Sequence, residues 1–357
     1  MIKILITGAC AVSARSVLRS LKMSSIFGNA EFIGWDMCNL LYGVYEGVFD
    51  RIYKVPAVVD LSYEQEVKKI LSAEKPDAVI VVPEVEVLYW SEHKFDVPYI
   101  VPPKKFSRLV ISKERLFDAL KDTGLVPRHL SVEGSAFQEE NYKCPLGYPV
   151  WIRDGAAGTA SAKGAFKASS VEDLRAWAAI NKGITKFQLS EYLPGRNTGC
   201  FCLYKDGKLV KTCQAERIEY IMGKVALSGI TGNTSKGKLL NDEIIKQTAL
   251  QAIDTICQLT GEVMNGLVVV DMKEDERGVP IITEINIRHV AFSSSFAMAG
   301  FNVSEYQLLL ALGRDGEISP EIEKLFPETN LILRDVDGQP IYIEKETKLE
   351  IGSYIAK

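Results

Sequence analysis

Two carboxylates, a carboxamide and a guanidinium fall at spacings that would gather them on one surface within Gly266 to Arg288, GLVVVDMKEDERGVPIITEINIR. Leu267 to Met272 and Val279 to Ile285 are rich in β-branched and apolar residues and read as strands. The charged, Gly-ended run Lys273 to Gly278 reads as the turn between them. Side chains alternate faces along a strand, so Glu284, Asn286 and Arg288 are expected on one face and Thr283, Ile285 and Ile287 on the other. Asp271 lies thirteen residues before Glu284, a separation that a hairpin closes. Such a face suits Mg²⁺, a hard cation that prefers oxygen and is commonly shared between a few carboxylates and a substrate's phosphates. Taken alone, Glu-x-Asn-x-Arg also describes an exposed strand edge with scattered polar residues.

The elements that would position these groups belong to a chain of 357 residues, long enough for a large core divided into two or three units. Apolar residues make up 47% and charged residues 25%, as in ordinary globular proteins. A net charge of -4 gives no basic footprint for nucleic acid. The seven cysteines are odd in number and have no metal-type spacing, so they are expected to be reduced thiols in a cytoplasmic protein. MIKILITG reads as a first buried strand rather than a signal segment. No run approaches the ~20 apolar residues of a membrane span.

Residues 1–103 alternate strand and helix: Ile2 to Thr7, a helix Ser13 to Lys22, Glu31 to Asp36, Arg51 to Tyr53, a helix Tyr63 to Ala73, Ala78 to Pro83 and a short strand Pro98 to Val101. This pattern predicts a doubly wound α/β unit. Only Gly8 of a dinucleotide fingerprint is present, with Cys10 and Ser13 at the later positions, which argues against nicotinamide binding. Pro83 and Glu84 end a strand on the side where α/β sheets hold ligands; they either touch a substrate or simply end the strand. Ser112 reads as an N-cap for a helix from Lys113 to Thr123. A lysine there opposes the helix dipole, unless it faces a bound phosphate; a solvated lysine is the alternative. Tyr148 to Arg153 is a strand, and DGAAGTASAKG (Asp154 to Gly164) is a small-residue loop that lets backbone N–H groups approach a polyphosphate, though many hairpin tips look similar. Lys186 to Ser190 is a strand, Thr198 to Tyr204 and Lys208 to Gln214 a hairpin, Met222 to Lys238 a long loop, and Asp242 to Leu259 an amphipathic helix. Helices are also expected at Ser293 to Ala299 and Val303 to Leu312. The tail, Asn330 to Lys357, reads as strand-rich with a turn at Asp337-Gly338.

Lys113, Arg153 with its small-residue loop, the Ser190 to Gly195 segment, and Asp271 with Glu284 and Asn286 occur in the order and spacing of the ATP-grasp superfamily, which the chain resembles over nearly its whole length. It is particularly similar to the ATP-binding half of the carbamoyl phosphate synthase large chain. That group also has arginine at the position of Arg153, a serine in its glycine loop as at Ser161, and a metal strand ending in Glu-x-Asn-x-Arg. The resemblance implies an N-terminal doubly wound pre-ATP-grasp domain at residues 1–103 and a two-lobed ATP-grasp domain at 104–357. The lid lobe would span about 126–190 and the metal lobe about 191–357. It further implies that Lys113 and Arg153 hold the ATP phosphates under a lid formed by Gly155 to Gly164. The backbone near Glu191 and Leu193 would bind the adenine edge. Asp271, Glu284 and Asn286 would hold one or two Mg²⁺ ions, with Mn²⁺ as an alternative, and Arg288 would stabilise the transferred phosphoryl group or an acyl phosphate. Asn197 stands where many relatives carry a ribose-binding Glu, and Ser190 where an acidic residue often meets the adenine amino group. Lys163 adds either a phosphate contact or a solvated charge to a lid less glycine-rich than that of carbamoyl phosphate synthase.

The resemblance leads to the expectation of an ADP-forming ligase that joins a small-molecule carboxylate to an amine or other nucleophile through an acyl phosphate. Phosphoryl transfer needs positioning and cations more than protein nucleophiles, consistent with only three histidines and no catalytic triad. Two alternatives stand beside it: carbamoyl phosphate synthase-like phosphorylation of bicarbonate or carbamate, and a nucleotide-binding regulatory protein without turnover. Neither nucleic acid nor membrane is an expected partner, and a homodimer is compatible with all three readings.

Overall fold

A computed structural model describes residues 1–38, 43, 49–155, 164–335 and 349–356. Most of the expected lid, with Ser161 and Lys163, lies outside the described residues, as does the turn at Asp337-Gly338.

β1 (Lys3–Thr7), α1 (Val12–Lys22), β2 (Glu31–Asp36), β3 (Arg51–Lys54), α2 (Tyr63–Glu74), β4 (Ala78–Ile80) and α3 (Glu84–Glu92) build the first unit. β1 to β4 pair in parallel in the order β3-β2-β1-β4. Burial on both faces explains their almost continuous apolar runs. Ile4 and Ile6 pack with Val17, Leu18 and Leu21 of α1, while Leu5 and Ile33 pack with Tyr63, Val67 and Trp90 on the other side. The last strand of the chain, β15 (Tyr354–Ala356), closes this sheet by pairing antiparallel with β3. Pro98 to Val101, expected as a strand, is not one. Pro98 has no N–H to donate, and its carbonyl accepts a single bond from Val79 N at 2.9 Å.

α4 (Lys104–Val110) and α5 (Lys113–Leu120) lead out of this unit. Ser112 caps α5 by accepting from Arg115 N at 3.4 Å. Then β5 (His129–Glu133), β6 (Val150–Asp154), β7 (Phe166–Ala168), α6 (Val171–Ile180) and β8 (Lys186–Glu191) form an antiparallel sheet ordered β5-β8-β6-β7, with α6 beside its small core of Phe137, Ile152, Leu174 and Phe187.

The remaining sheet contains β9 (Asn197–Lys205), β10 (Lys208–Tyr220), β11 (Thr234–Leu240), β12 (Gly266–Glu274), β13 (Pro280–Asn286) and β14 (Ile332–Leu333), ordered β13-β12-β9-β10-β11-β14 and antiparallel throughout. One face is covered by α7 (Glu243–Thr260). Asp242 starts α7 by accepting from Ile244 N and Ile245 N, and Gly261 ends it at φ 66°. The expected loop Met222 to Lys238 is loop only as far as Asn233. Its later small residues serve β11, since a Cβ on Gly237 would lie 2.9 Å from the Glu216 carbonyl oxygen and 3.0 Å from the Phe292 ring.

α8 (Ser293–Met298) and α9 (Val303–Ala311) fasten the first unit to the rest. Ser16 Oγ accepts from Ser294 N at 2.9 Å, and Asn302 Nδ2 donates to the Ser20 carbonyl at 2.7 Å. The expected doubly wound unit followed by α+β lobes is therefore the architecture observed.

Candidate active site

A cavity of about 320 Å³ is lined by both antiparallel sheets and by the first unit. The hairpin β12–β13 forms one wall. Its register sets Asp271 directly opposite Glu284, and both line the cavity together with Asn286 and Arg288. Thr283, expected to face away, also lines it, as does Met272. The ladder shifts register between Asp271 and Met272, and a bulge of this kind re-aims side chains that strict alternation would hide. Thr283 Oγ1 donates to the Asp271 carbonyl at 3.2 Å.

Asp271 accepts from Arg217 Nη2 on one carboxylate oxygen and from Asn286 Nδ2 on the other, the latter at 3.2 Å. Burial pushes its carboxyl above the ordinary range, and Arg217 offsets only part of that rise. Glu284 behaves oppositely. Burial pushes it up as well, but Lys113, Arg153 and Arg288 together outweigh burial and hold it below the ordinary carboxylate value. Lys113 Nζ reaches Glu284 Oε2 at 3.1 Å, which explains a lysine placed against the dipole of α5. Among the described residues no group of three or more His, Cys, Asp or Glu side chains converges on a metal site. The available donors are two carboxylates and the oxygen of Asn286, whose amide nitrogen is committed to Asp271. That set fits Mg²⁺, which takes one or two carboxylates and completes its shell with water and substrate phosphate.

Arg153 projects from β6. It is buried, donates through Nε to Gln188 Oε1 at 3.0 Å, and lies 5.2 Å from the Phe117 ring centre. Burial lowers its pKa to about 10, with Glu284 opposing the change, so it remains a cation at neutral pH. Ser190, Glu191 and Leu193 line the cavity at the end of β8, and Asn197 lines it at the start of β9. The Glu191 N–H donates to the Arg128 carbonyl at 3.0 Å, whereas the Leu193 N–H has no partner among the described residues. All the expected site residues except Ser161, which is not described, are thus brought to one cavity.

Other residues belong there too. Arg217 was missed because the sequence pattern ended its strand at Gln214, while β10 runs on to Tyr220 with bulges that blur the alternation. Lys273, read as turn, lies in β12 and donates to the Gly195 carbonyl at 2.8 Å. Glu84 enters from the first turn of α3, with Val12 and Ser13 of α1 beside it. Burial raises the Glu84 carboxyl, Arg288 and Lys113 lower it, and Glu284 adds to the rise.

No protein-family model and no curated protein matches the sequence. Solved structures do match in fold. An L-amino acid ligase from Bacillus licheniformis superposes with a TM-score of 0.59 at 14% identity, over 90% of this chain and 78% of that one. The biotin carboxylase domain dimer of the Hydrogenobacter thermophilus 2-oxoglutarate carboxylase, in complex with MgADP, ADP and bicarbonate, gives 0.57 at 15% identity, over 87% and 69%. A protein from Archaeoglobus fulgidus assigned to the ATP-grasp superfamily gives 0.53 at 15%, over 86% and 88%.

Proposed function

We propose that this chain, which has the ATP-grasp fold, is an ATP- and Mg²⁺-dependent ligase that activates a carboxylate as an acyl phosphate for attack by an amine or another nucleophile. The observation that carries the reading is the single cavity in which the Asp271–Glu284 pair faces Lys113, Arg153, Arg217 and Arg288. Cations in that number suit a triphosphate, and the carboxylate pair suits the metal that accompanies it. A ligase of amino acids and a carboxylase domain holding MgADP among the structural likenesses support the same reading.

In this reading Asp271, Glu284 and Asn286 would hold Mg²⁺, which when bound neutralises phosphate charge. Lys113 and Arg153 bind the phosphates, the backbone at Glu191 and Leu193 takes the adenine edge, and Asn197 takes a ribose hydroxyl. Arg288 offers planar paired donors to the group being transferred. A substrate carboxylate oxygen attacks the terminal phosphorus of ATP and ADP leaves. The nucleophile then attacks the acyl carbon, inorganic phosphate leaves, and an amine nucleophile gives up one proton. Because the pocket contains its own fixed cations, no protein nucleophile is required.

A screen of carboxylate and amine pairs, amino acids foremost, scored by phosphate release and product mass, tests the proposal. One pair that gives ADP, phosphate and a condensed product in equal amounts supports it. ATP turnover indifferent to every carboxylate would overturn it, and turnover with bicarbonate alone would favour carbamoyl phosphate synthase-like chemistry.

A further inference from the structure

β9 runs between β10 and β12, and residues directly opposite one another in antiparallel strands share a face. On the cavity face this sets Ala215, Gly199, Asp271 and Glu284 in one row and Arg217, Asn197 and Lys273 in the next. Neighbouring strands are about 4.8 Å apart, so β10 and β12 are separated by roughly 10 Å, and only a long side chain crosses β9. Arg217 does so, and its Nη2 donates to Asp271 Oδ1 at 2.5 Å. The contact passes close over Gly199. A Cβ there would lie 3.2 Å from Asp271 Oδ1 and 3.5 Å from Arg217 Nη2. Gly199 sits within β9 without a left-handed φ, so what it provides is space rather than a special backbone conformation. The other oxygen of Asp271 accepts from Asn286 Nδ2 at 3.2 Å. Asp271 is therefore gripped at both oxygens, and the arm that holds Oδ1 is only 18% exposed. An ionised carboxylate has about four lone-pair sites, so the two bonds fix its plane and still leave each oxygen able to bind a metal.

We propose that Arg217 is a positioning residue for the metal site: it fixes Asp271 for Mg²⁺ from two strands away, through the gap that Gly199 leaves in β9. The inference rests on the reading of Asp271, Glu284 and Asn286 as metal ligands and adds the group that holds one of them in place. Partners that orient a ligating carboxylate contribute about 10- to 100-fold to metal affinity. The sign of the effect separates this role from two simpler ones. A cation that acts only through its field repels Mg²⁺, so its removal would tighten metal binding. A cation that serves only the phosphates would leave metal binding without nucleotide as it was.

The test uses the full chain at about pH 8, far above the ordinary carboxylate range, with Mn²⁺ as the probe and electron paramagnetic resonance to count the free metal. ATP affinity is measured separately by calorimetry in EDTA. In Arg217→Gln, Mn²⁺ affinity without nucleotide falls about 10- to 100-fold, and by more than ATP affinity does. Arg217→Lys keeps the charge on an arm without the planar fork and lies between Gln and wild type. Gly199→Val keeps every charge but fills the gap, and it lowers Mn²⁺ affinity as well. Joined to Arg217→Gln it adds little further, because both act on one contact. Mn²⁺ affinity that is unchanged or tighter in Arg217→Gln, or that falls no more than ATP affinity, overturns the positioning role and leaves the metal reading in place. Wild-type Mn²⁺ affinity in Gly199→Val overturns it too, which keeps the test decisive if Arg217→Gln does not fold. Wild-type protein that binds no Mn²⁺, alone or with a nonhydrolysable ATP analogue, overturns the metal reading, and this inference with it.

Discussion

Glu284 stays ionised although burial pushes its carboxyl up, because the charges of Lys113, Arg153 and Arg288 outweigh burial. Such a carboxylate is suited to a cation that also binds phosphate. Glu284→Gln keeps the size of the side chain and removes its charge. The expected outcome is a folded protein whose kcat falls by about 10²-fold or more, judged by circular dichroism beside turnover. A wild-type rate in a folded variant would remove Glu284 from the metal site. Arg288 separates catalysis from binding. Its guanidinium donates to its neighbour's carbonyl, His289 O, at 3.0 Å and keeps further donors for a ligand. If its contacts strengthen as charge develops, Arg288→Ala lowers kcat on the order of 10²-fold, while ATP affinity by calorimetry changes little by comparison. Loss of affinity with kcat intact at saturation would make Arg288 a ground-state anchor. These residues were legible because one short hairpin carries them at period-two spacing. Arg217 was not, because its meaning depends on Asp271, which lies across two strand pairings.

The hairpin needs an anchor where it leaves the sheet, and His289 supplies it. The buried imidazole donates through Nε2 to Gln307 Oε1 at 2.7 Å, with Nδ1 at 3.0 Å from Ser293 Oγ, and Gln307 Nε2 donates to the Ile100 carbonyl at 3.1 Å. This chain of bonds ties the segment after β13 to α8, α9 and the exit of the first unit. Burial lowers the His289 pKa to about 4. Below its unfolded value the unfolded chain takes up a proton that the buried ring refuses. The folded state therefore loses stability as pH falls from about 6.5 toward about 4. The contribution is about 3 kcal/mol when complete, from a shift of roughly two and a half units. Urea unfolding of wild type and His289→Gln across that window should show the steeper loss only in wild type; parallel curves would contradict the assignment. The sequence displayed His289 beside Arg288 without its meaning, since Gln307 lies 18 residues away, on α9. Element types were mostly legible from periodicity. Among the exceptions, tertiary pairing set β11 inside a Gly- and Ser-rich stretch, β5 and the extension of β10 to Tyr220, while α3 and α4 were not expected and the strand expected at Pro98 to Val101 is absent.

At the scale of the whole molecule, the first unit, the linking helices and both antiparallel sheets meet around one cavity, with Glu84, Lys113, Arg153 and the β12–β13 hairpin contributing from different parts of the chain. The order of these parts was readable from sequence as a resemblance. The return of β15 to the edge of the first sheet was not, because a three-residue strand has too short a pattern to name its partner. A ligand held by several segments at once stabilises all of them. MgATP at about 100 times its Kd should add about 2.7 kcal/mol to unfolding. A rise in Tm of the full chain with ATP and Mg²⁺, reduced when EDTA removes the metal, is the expected result. An equal rise with and without metal would argue against Asp271, Glu284 and Asn286 as its ligands. The proposed chemistry turns on attack by a carboxylate oxygen at the terminal phosphorus of ATP. The most direct measurement follows heavy oxygen from a labelled carboxylate substrate into the released inorganic phosphate by mass spectrometry. The expected result is one labelled oxygen in each phosphate formed with product. Phosphate released without label, while product still accumulates, would contradict it.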